Sequence, residues 1–507
     1  MDILIQCNQP NLRYLPNQKE QMMKRIDPIQ INWKPDKNKV IPVYKQIIQY
    51  VCDRVASGEW VIGARLPSQR TMAKLFNVNR STISIAIDEL TSYGIISGKS
   101  GAGTQIVSNT WALMLPTKPS WKKLILSGYF QENNHRLQQI NQLEFEPNIA
   151  RLGTGELDLR LFPQKMWTDV LQKMSTEITS LGYAEPLGIL ELREAIVEHM
   201  RQFGINVSTE NILVTSGALQ ALQLIASCML KEGSTVFTEA PTYLKSLQMF
   251  QSAGLKLNGI TMDHDGLEYW KIKHQIKNSE SSILYTIPTN QNPTGITMSD
   301  IRRKELMDFC IKNRLPIIED GAYQELCFDN DQFKPLKSID DNGMVMYLGS
   351  ASKTLAPGLR IGWVIASKPV IQRLGDAKMQ MDYGASSLSQ LVFAEFLKSG
   401  KYSSYLVDLK KTLKKRRDNA LECLAKYFSQ LATWNKPIGG FYIWLTFNEN
   451  IEADDIFERA LKKKILLNPG DIYDFKHNRS IRISFAYLEC DEFKESIKKL
   501  ALLLMDK

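Results

Sequence analysis

Cysteine and histidine are scarce in this chain. Its 507 residues include seven cysteines and five histidines. The cysteines (Cys7, Cys52, Cys228, Cys310, Cys327, Cys423, Cys490) are scattered, odd in number and form no CxxC pair. That excludes a disulfide framework or a cysteine metal cluster and fits reduced thiols. His135, His199, His264, His274 and His477 fall at no ligand spacing, so no metal site is expected. Long apolar runs are also missing. Nowhere do about 18 apolar residues run together, so no membrane span is expected. The opening Met1-Asp-Ile-Leu-Ile-Gln carries an acid at position 2 and only a short apolar run, unlike a signal peptide. A cytoplasmic protein is the expectation. Neither sign of charge dominates: 63 Lys+Arg against 54 Asp+Glu leave a net +9, which favours a polyanion partner only mildly. The length predicts more than one domain, and 44% hydrophobic with 23% charged residues is ordinary for a globular protein.

Residues 1–30 are polar and uninformative, and a compact pattern follows them. Val43, Ile47, Ile48, Val51 and Val55 recur at helical spacing until Gly58. Pro67-Ser68 opens a short helix with Ser68 as N-cap and Met72, Ala73 and Leu75 on its buried side. Asn77-Val78-Asn79 makes a tight turn into a helix from about Ser81 to Tyr93, with Ile83, Ile87 and Leu90 inward. Ile95 to Val107 reads as two short strands joined by Lys99-Ser-Gly-Ala-Gly103. Helix, turn, helix and a glycine-rich hairpin make a winged helix-turn-helix over residues 31–108. Over residues 41–107, seven Lys/Arg minus four Asp/Glu give +3. Arg70, Arg80 and Lys99 stand at the ends and tip expected to face a duplex, where a helix N-terminus enters the major groove and its amides meet phosphate.

A connector over 109–145 contains Pro116, Pro119, Trp111 and Trp121; the tryptophans suggest that part of it docks on a neighbour. From Glu146 to Lys507, helical patterns alternate with β-rich runs such as Ile212-Leu-Val-Thr, Thr235-Val-Phe-Thr, Ile283-Leu-Tyr-Thr, Pro316-Ile-Ile-Glu-Asp320 and Met344-Val-Met-Tyr-Leu-Gly349. That alternation predicts an α/β body, a mostly parallel sheet with helices on both faces, and ligands at the carboxyl ends of its strands.

The chemistry-bearing motifs fall at those ends. Ser350-Ala-Ser-Lys353-Thr-Leu-Ala-Pro-Gly-Leu-Arg360 frames a lysine with hydroxyls and a later arginine. Such a lysine can hold an aldehyde as a Schiff base, while Ser350, Ser352 and Arg360 supply donors for a phosphate. Thr215-Ser-Gly-Ala-Leu-Gln220 follows a strand and opens a helix, another phosphate seat. Tyr243 offers a ring to stack on a planar heterocycle, Asn292 an amide donor, and Asp320 and Tyr323 a carboxylate and a phenol on one rim. A carboxylate paired with a pyridinium nitrogen makes pyridoxal 5'-phosphate an electron sink.

Two resemblances gather these motifs. Tyr44-Lys-Gln-Ile47, Leu66-Pro-Ser-Gln-Arg70, Val78-Asn-Arg-Ser-Thr82 and Gly101-Ala-Gly103-Thr resemble the GntR-type winged helix. That resemblance implies DNA contacts by Arg70, Arg80, Ser81 and Thr82, with Gly101 in the wing; Asn79 stands where a small hydroxyl is usual. The body resembles fold-type I aminotransferases of class I/II. By that resemblance Lys353 forms the internal aldimine, Asp320 meets the pyridine nitrogen, Asn292 and Tyr323 bond the ring hydroxyl, and Tyr243 stacks on the ring. Ser350, Ser352, Arg360 and the amides of Ala218 and Leu219 bind the phosphate, Leu219 replacing a usual glutamine. Tyr183 matches a tyrosine reaching the partner subunit's phosphate, and Arg482 the arginine that grips a substrate carboxylate. Head and body together resemble the MocR subfamily of regulators. The resemblance implies a head-to-tail homodimer on double-stranded DNA with repeated half-sites, sensing an amino compound or pyridoxal phosphate itself. A working aminotransferase with a regulatory head stays open beside that reading.

Overall fold

A computed structural model of the chain describes residues 28–99, 103–108, 135–273, 275–276, 281–329, 333–448 and 453–505. The chain divides into two compact units between Ser127 and Gly128. The first holds α1 (Val43–Ala56), α2 (Gln69–Phe76), α3 (Arg80–Ser92) and the antiparallel hairpin of β1 (Ile96–Lys99) and β2 (Gly103–Ile106). Ser68 caps α2: its Oγ accepts from the Thr71 N–H at 3.1 Å. Asn77, in the left-handed region at φ 51°, turns the chain toward α3. Ile47, Val51, Phe76, Ile83, Ala86 and Leu90 form the core.

Leu75 corrects the sequence expectation: it is 36% exposed, and Phe76 is buried in its place. At 100° per residue, Met72, Ala73 and Phe76 share one arc of α2, while Leu75 falls well outside it. Residues 28–36 strap this core. The Ile29 N–H donates to Arg65 O at 2.8 Å, and Trp33 stacks on Tyr50 with centroids 4.3 Å apart.

The second unit is built on an eight-stranded sheet. Its order is β4 (Ile212–Thr215), β11 (Gly362–Ile365), β10 (Val345–Ser350), β9 (Ile317–Asp320), β8 (Ser282–Thr286), β5 (Thr235–Ala240), β6 (Lys256–Asp263) and β7 (Gly266–Leu267). β10, β9, β8, β5 and β6 run parallel, and β11 lies antiparallel between β10 and β4. β4 and β10 are buried along their whole length, as strands covered on both faces must be, and so read as apolar runs. Gly349 is required by its neighbour across the ladder, Trp363: a Cβ there would lie 2.1 Å from the indole. Parallel register brings Asp320 and Ser350 to the same edge of the sheet, and Thr215, two antiparallel steps from β10, ends there as well.

A second sheet, in the order β12 (Ala432–Trp434), β13 (Tyr442–Phe447), β16 (Ser480–Ser484), β15 (Asn468–Pro469), carries Tyr442 and Arg482. A short pair, β3 (Ala150–Arg151) with β14 (Ile465–Leu466), ties the start of the body to its end. The expected connector finishes in a helix, α4 (His135–Leu143), held by the body. Ile140 joins the body core, and Arg136 reaches Glu458 at 2.9 Å while covering the Phe457 ring. Residues 1–27 and 109–134 lie outside the described residues, as does Gly101.

Candidate functional site

Three strand ends and one helix start make the anion end of the site. The helix Ala218–Met229 begins at Gly217, which offers no side-chain cap, so its first amides face outward without a partner from the cap. A Cβ on Gly217 would sit 2.7 Å from the Arg360 guanidinium, and one on Gly362 would sit 2.7 Å from the Gly217 carbonyl carbon. Only glycines allow this close cradle, and Gly217 has φ 92° besides. Arg360 donates to Ser216 O at 3.1 Å; Ser350 is buried, and its Oγ accepts from the Ser352 N–H at 3.1 Å. Asp382 closes one side, accepting from Gln220 at 2.6 Å. Burial raises its carboxyl, but hydrogen bonds from Lys378 and Gln220 bring it below the ordinary range. Leu219 is exposed, which leaves its backbone amide as its contribution. Tyr183 is 92% exposed and packs on Tyr383, the residue after Asp382.

Away from the cradle, one cavity is lined by Lys353, Asn292, Tyr243, Tyr442, Tyr473 and Arg482. Lys353 Nζ donates to Gly155 O at 2.7 Å. Asp320, at the end of β9, accepts from the Tyr285 hydroxyl at 2.7 Å and from the Ala322 N–H at 3.0 Å. Burial pushes its carboxyl above the ordinary range, with those two donors and the Lys353 charge opposing. Tyr323 is buried with its hydroxyl 2.8 Å from that of Tyr442, and burial holds it well above the usual phenol range. Tyr243 is pushed up to about 12, also by burial.

Arg482, 3% exposed, is the most telling group. It donates to Gly153 O at 2.7 Å and to Asn292 Oδ1 at 2.8 Å. Its guanidinium also lies over the Tyr442 and Tyr473 rings at 4.3 and 4.8 Å. Among the described residues no carboxylate pairs with it. A buried guanidinium held by carbonyls and ring faces keeps its positive charge available to a planar anion.

The residues present therefore fit a phosphate at one end, a cationic ring nitrogen at Asp320 and a carboxylate at Arg482. Sequence reasoning missed Tyr285, Tyr442 and Tyr473. Tyr285 stood as the single phenol of its strand, and that was the available signal. Nothing local marks the other two, which the second sheet brings in from far along the chain.

In the head, Arg70, Arg80 and Ser81 are exposed and Thr82 half-buried, the last three on the first turn of α3. Asn79, the N-cap, makes no side-chain cap bond, and the Thr82 N–H donates to its carbonyl at 3.1 Å. Lys99 closes β1, its side chain outside the described residues together with Gly101.

Comparison with known proteins matches this layout. Residues 147–500 match the family of class I and II aminotransferases, and residues 43–106 match bacterial regulatory proteins of the gntR family. The chain is 45% identical over 470 residues to the HTH-type transcriptional regulator YisV of Bacillus subtilis, covering 92% of this chain and 97% of that one. This chain belongs to the MocR-type regulators, a gntR-family head on an aminotransferase body. The HTH-type transcriptional regulator NorG of Staphylococcus aureus is 34% identical, covering 86% of this chain and 98% of that one. Kynurenine aminotransferase of Pyrococcus horikoshii, solved with PMP, superposes with a TM-score of 0.71 at 30% identity, covering 76% of this chain and 97% of that one. The body of this MocR-type chain thus has the fold of pyridoxal phosphate-dependent enzymes.

Asp320 generates a test of that fit. Because burial raises its carboxyl in the fold, ionising it opposes folding of the cofactor-free protein. That opposition is absent below the unfolded carboxyl value of about 4, grows as pH rises, and is complete above the folded value. Asp320→Asn should therefore make the cofactor-free protein more resistant to denaturant at pH 7. The difference should vanish near pH 4, while the variant binds pyridoxal phosphate more weakly. Denaturation midpoints at the two pH values check it.

Proposed function

We propose that this chain is a DNA-binding transcription regulator whose body holds pyridoxal phosphate at Lys353 and receives an amino compound there. The observation that carries the reading is the buried Arg482, paired with no carboxylate among the described residues, in the same cavity as Lys353. A molecule with an amine for one and an acid for the other suits both. When bound, the cofactor supplies an aldehyde for amines and an electron-withdrawing ring.

The protein's own residues do the rest. Ser350, Ser352, Arg360 and the amides of Ala218 and Leu219 hold the phosphate, with Tyr183 contributed across a homodimer. Asp320 keeps the ring nitrogen protonated, Asn292 and Tyr323 bond the ring hydroxyl, and Tyr243 covers one face. Arg482 orients the effector's carboxylate, and Lys353 Nζ accepts or returns a proton at the reacting carbon. In the head, Arg70, Arg80, Ser81, Thr82, Lys99 and Gly101 face DNA, two heads meeting repeated half-sites in the cytoplasm. The division we assign is head 31–108, connector 109–145 and body 146–507, with α4 at the end of the connector serving as part of the body's wall. An effector that prefers one arrangement of the body shifts the population of DNA-competent heads.

The likeness to aminotransferases supports a second reading, in which the body also turns over. Net amino transfer to an added keto acid would establish it; binding without transfer leaves a sensor. Lys353→Ala should abolish the visible absorption band of the lysine-bound cofactor, and a persisting band would remove Lys353 from this role. Arg80→Ala should weaken binding to the upstream DNA of its own gene about tenfold or more, measured by fluorescence anisotropy at fixed salt; unchanged affinity would refute the head assignment.

A further inference from the structure

The cavity has one wall that neither the cofactor seat nor Arg482 uses. Leu137, Ile140, Asn141 and Glu144 all line it, at positions i, i+3, i+4 and i+7. That spacing is one face of α4 continued into the next residue; the Glu144 N–H still donates to Ile140 O at 2.9 Å. The face is graded. Leu137 and Ile140 are apolar, and Asn141 and Glu144 are polar at the C-terminal end.

Charge accounting singles out Glu144. Two carboxylates border the cavity, Glu144 and Glu156. Glu156 has its countercharge, Arg151, at 3.5 Å. Lys353 is the cofactor's anchor and Arg482 the seat for a carboxylate. Glu144 has no ion pair among the described residues. Its field reaches into the cavity, being one of the charges that raise the Tyr243 phenol after burial.

Resting on the reading that the body receives an amino compound, we infer that the α4 face reads the effector's side chain and selects an amino acid with an apolar stem ending in a cation. The α-carboxylate sits on Arg482, the α-amine meets the cofactor at Lys353, the methylenes lie on Leu137 and Ile140, and the distal cation pairs with Glu144. α4 is also the first described element of the second unit. The helix that lines the cavity is therefore also the first described element that the chain forms after the head.

The test is an equilibrium titration of the full-length, cofactor-loaded protein with L-lysine, L-ornithine, L-norleucine and L-glutamate. Binding is read from the cofactor spectrum and, separately, from the thermal midpoint. Norleucine has lysine's stem without the terminal ammonium. In the wild type the better of lysine and ornithine should bind about tenfold more tightly than norleucine, the size expected of one partly screened ion pair. Glu144→Gln should bring the two within about threefold of each other, and Glu144→Lys should turn the preference toward glutamate. An intact cofactor band in each variant serves as the folding control. Equal or tighter binding of norleucine by the wild type, or a cation preference that survives Glu144→Gln, overturns the inference and leaves the amino-acid-receiving reading standing. If none of the four changes the spectrum or the thermal midpoint while the cofactor band is present, both fall, and the cofactor itself becomes the signal.

Discussion

The body is organised around two charged groups, Arg482 and Asp320, that form no ion pair among the described residues. Arg482 is held by a carbonyl, an amide oxygen and two aromatic faces. Asp320 is held by a phenol and a backbone N–H, with burial raising its carboxyl. Each arrangement is poor for a protein alone, because desolvating a charge costs several kcal/mol that only a close opposite charge offsets. Each becomes favourable with a ligand bearing the missing sign. The mixed sheet exists to hold these groups in place: β9 and β10 end in register, and the antiparallel β11 brings β4 and its helix start beside them.

Much of this was legible in the sequence. Ser350, Lys353, Arg360, Asp320 and Asn292 lie within a few residues of a strand end, so strand, turn and motif were readable together. The head was readable for the same reason, since a helix-turn-helix is made of local contacts. Long-range placement was not. Tyr442 and Arg482 meet Asn292 and Tyr323 through a second sheet whose strands are separated by other elements. β11 is short and glycine-led, and its role depends on the neighbours it separates. α4 was not foreseen: it lies in the stretch read as connector, and its Ile140 and Arg136 pack on the body. Leu75 was misplaced because hydrophobicity alone does not say which arc of an eight-residue helix faces inward.

A regulator of this design needs chemistry that stops at recognition and an arrangement of the body that recognition favours. An effector that bound every arrangement equally would change nothing, however tightly it bound. The useful contacts are those made in one arrangement only. A cavity wall formed by the first described helix of the body is well suited to supply them.

The most direct test of the account is whether the ligand state of the body sets the affinity of the head. Operator affinity of the cofactor-loaded protein should be measured with and without an amine that alters its spectrum, in the wild type and in Lys353→Ala. The account predicts a change of about fivefold to a hundredfold in the wild type, the usual size of coupling between sites, and none in the variant. Identical affinities in the wild type, with the spectrum showing the amine bound, would contradict it.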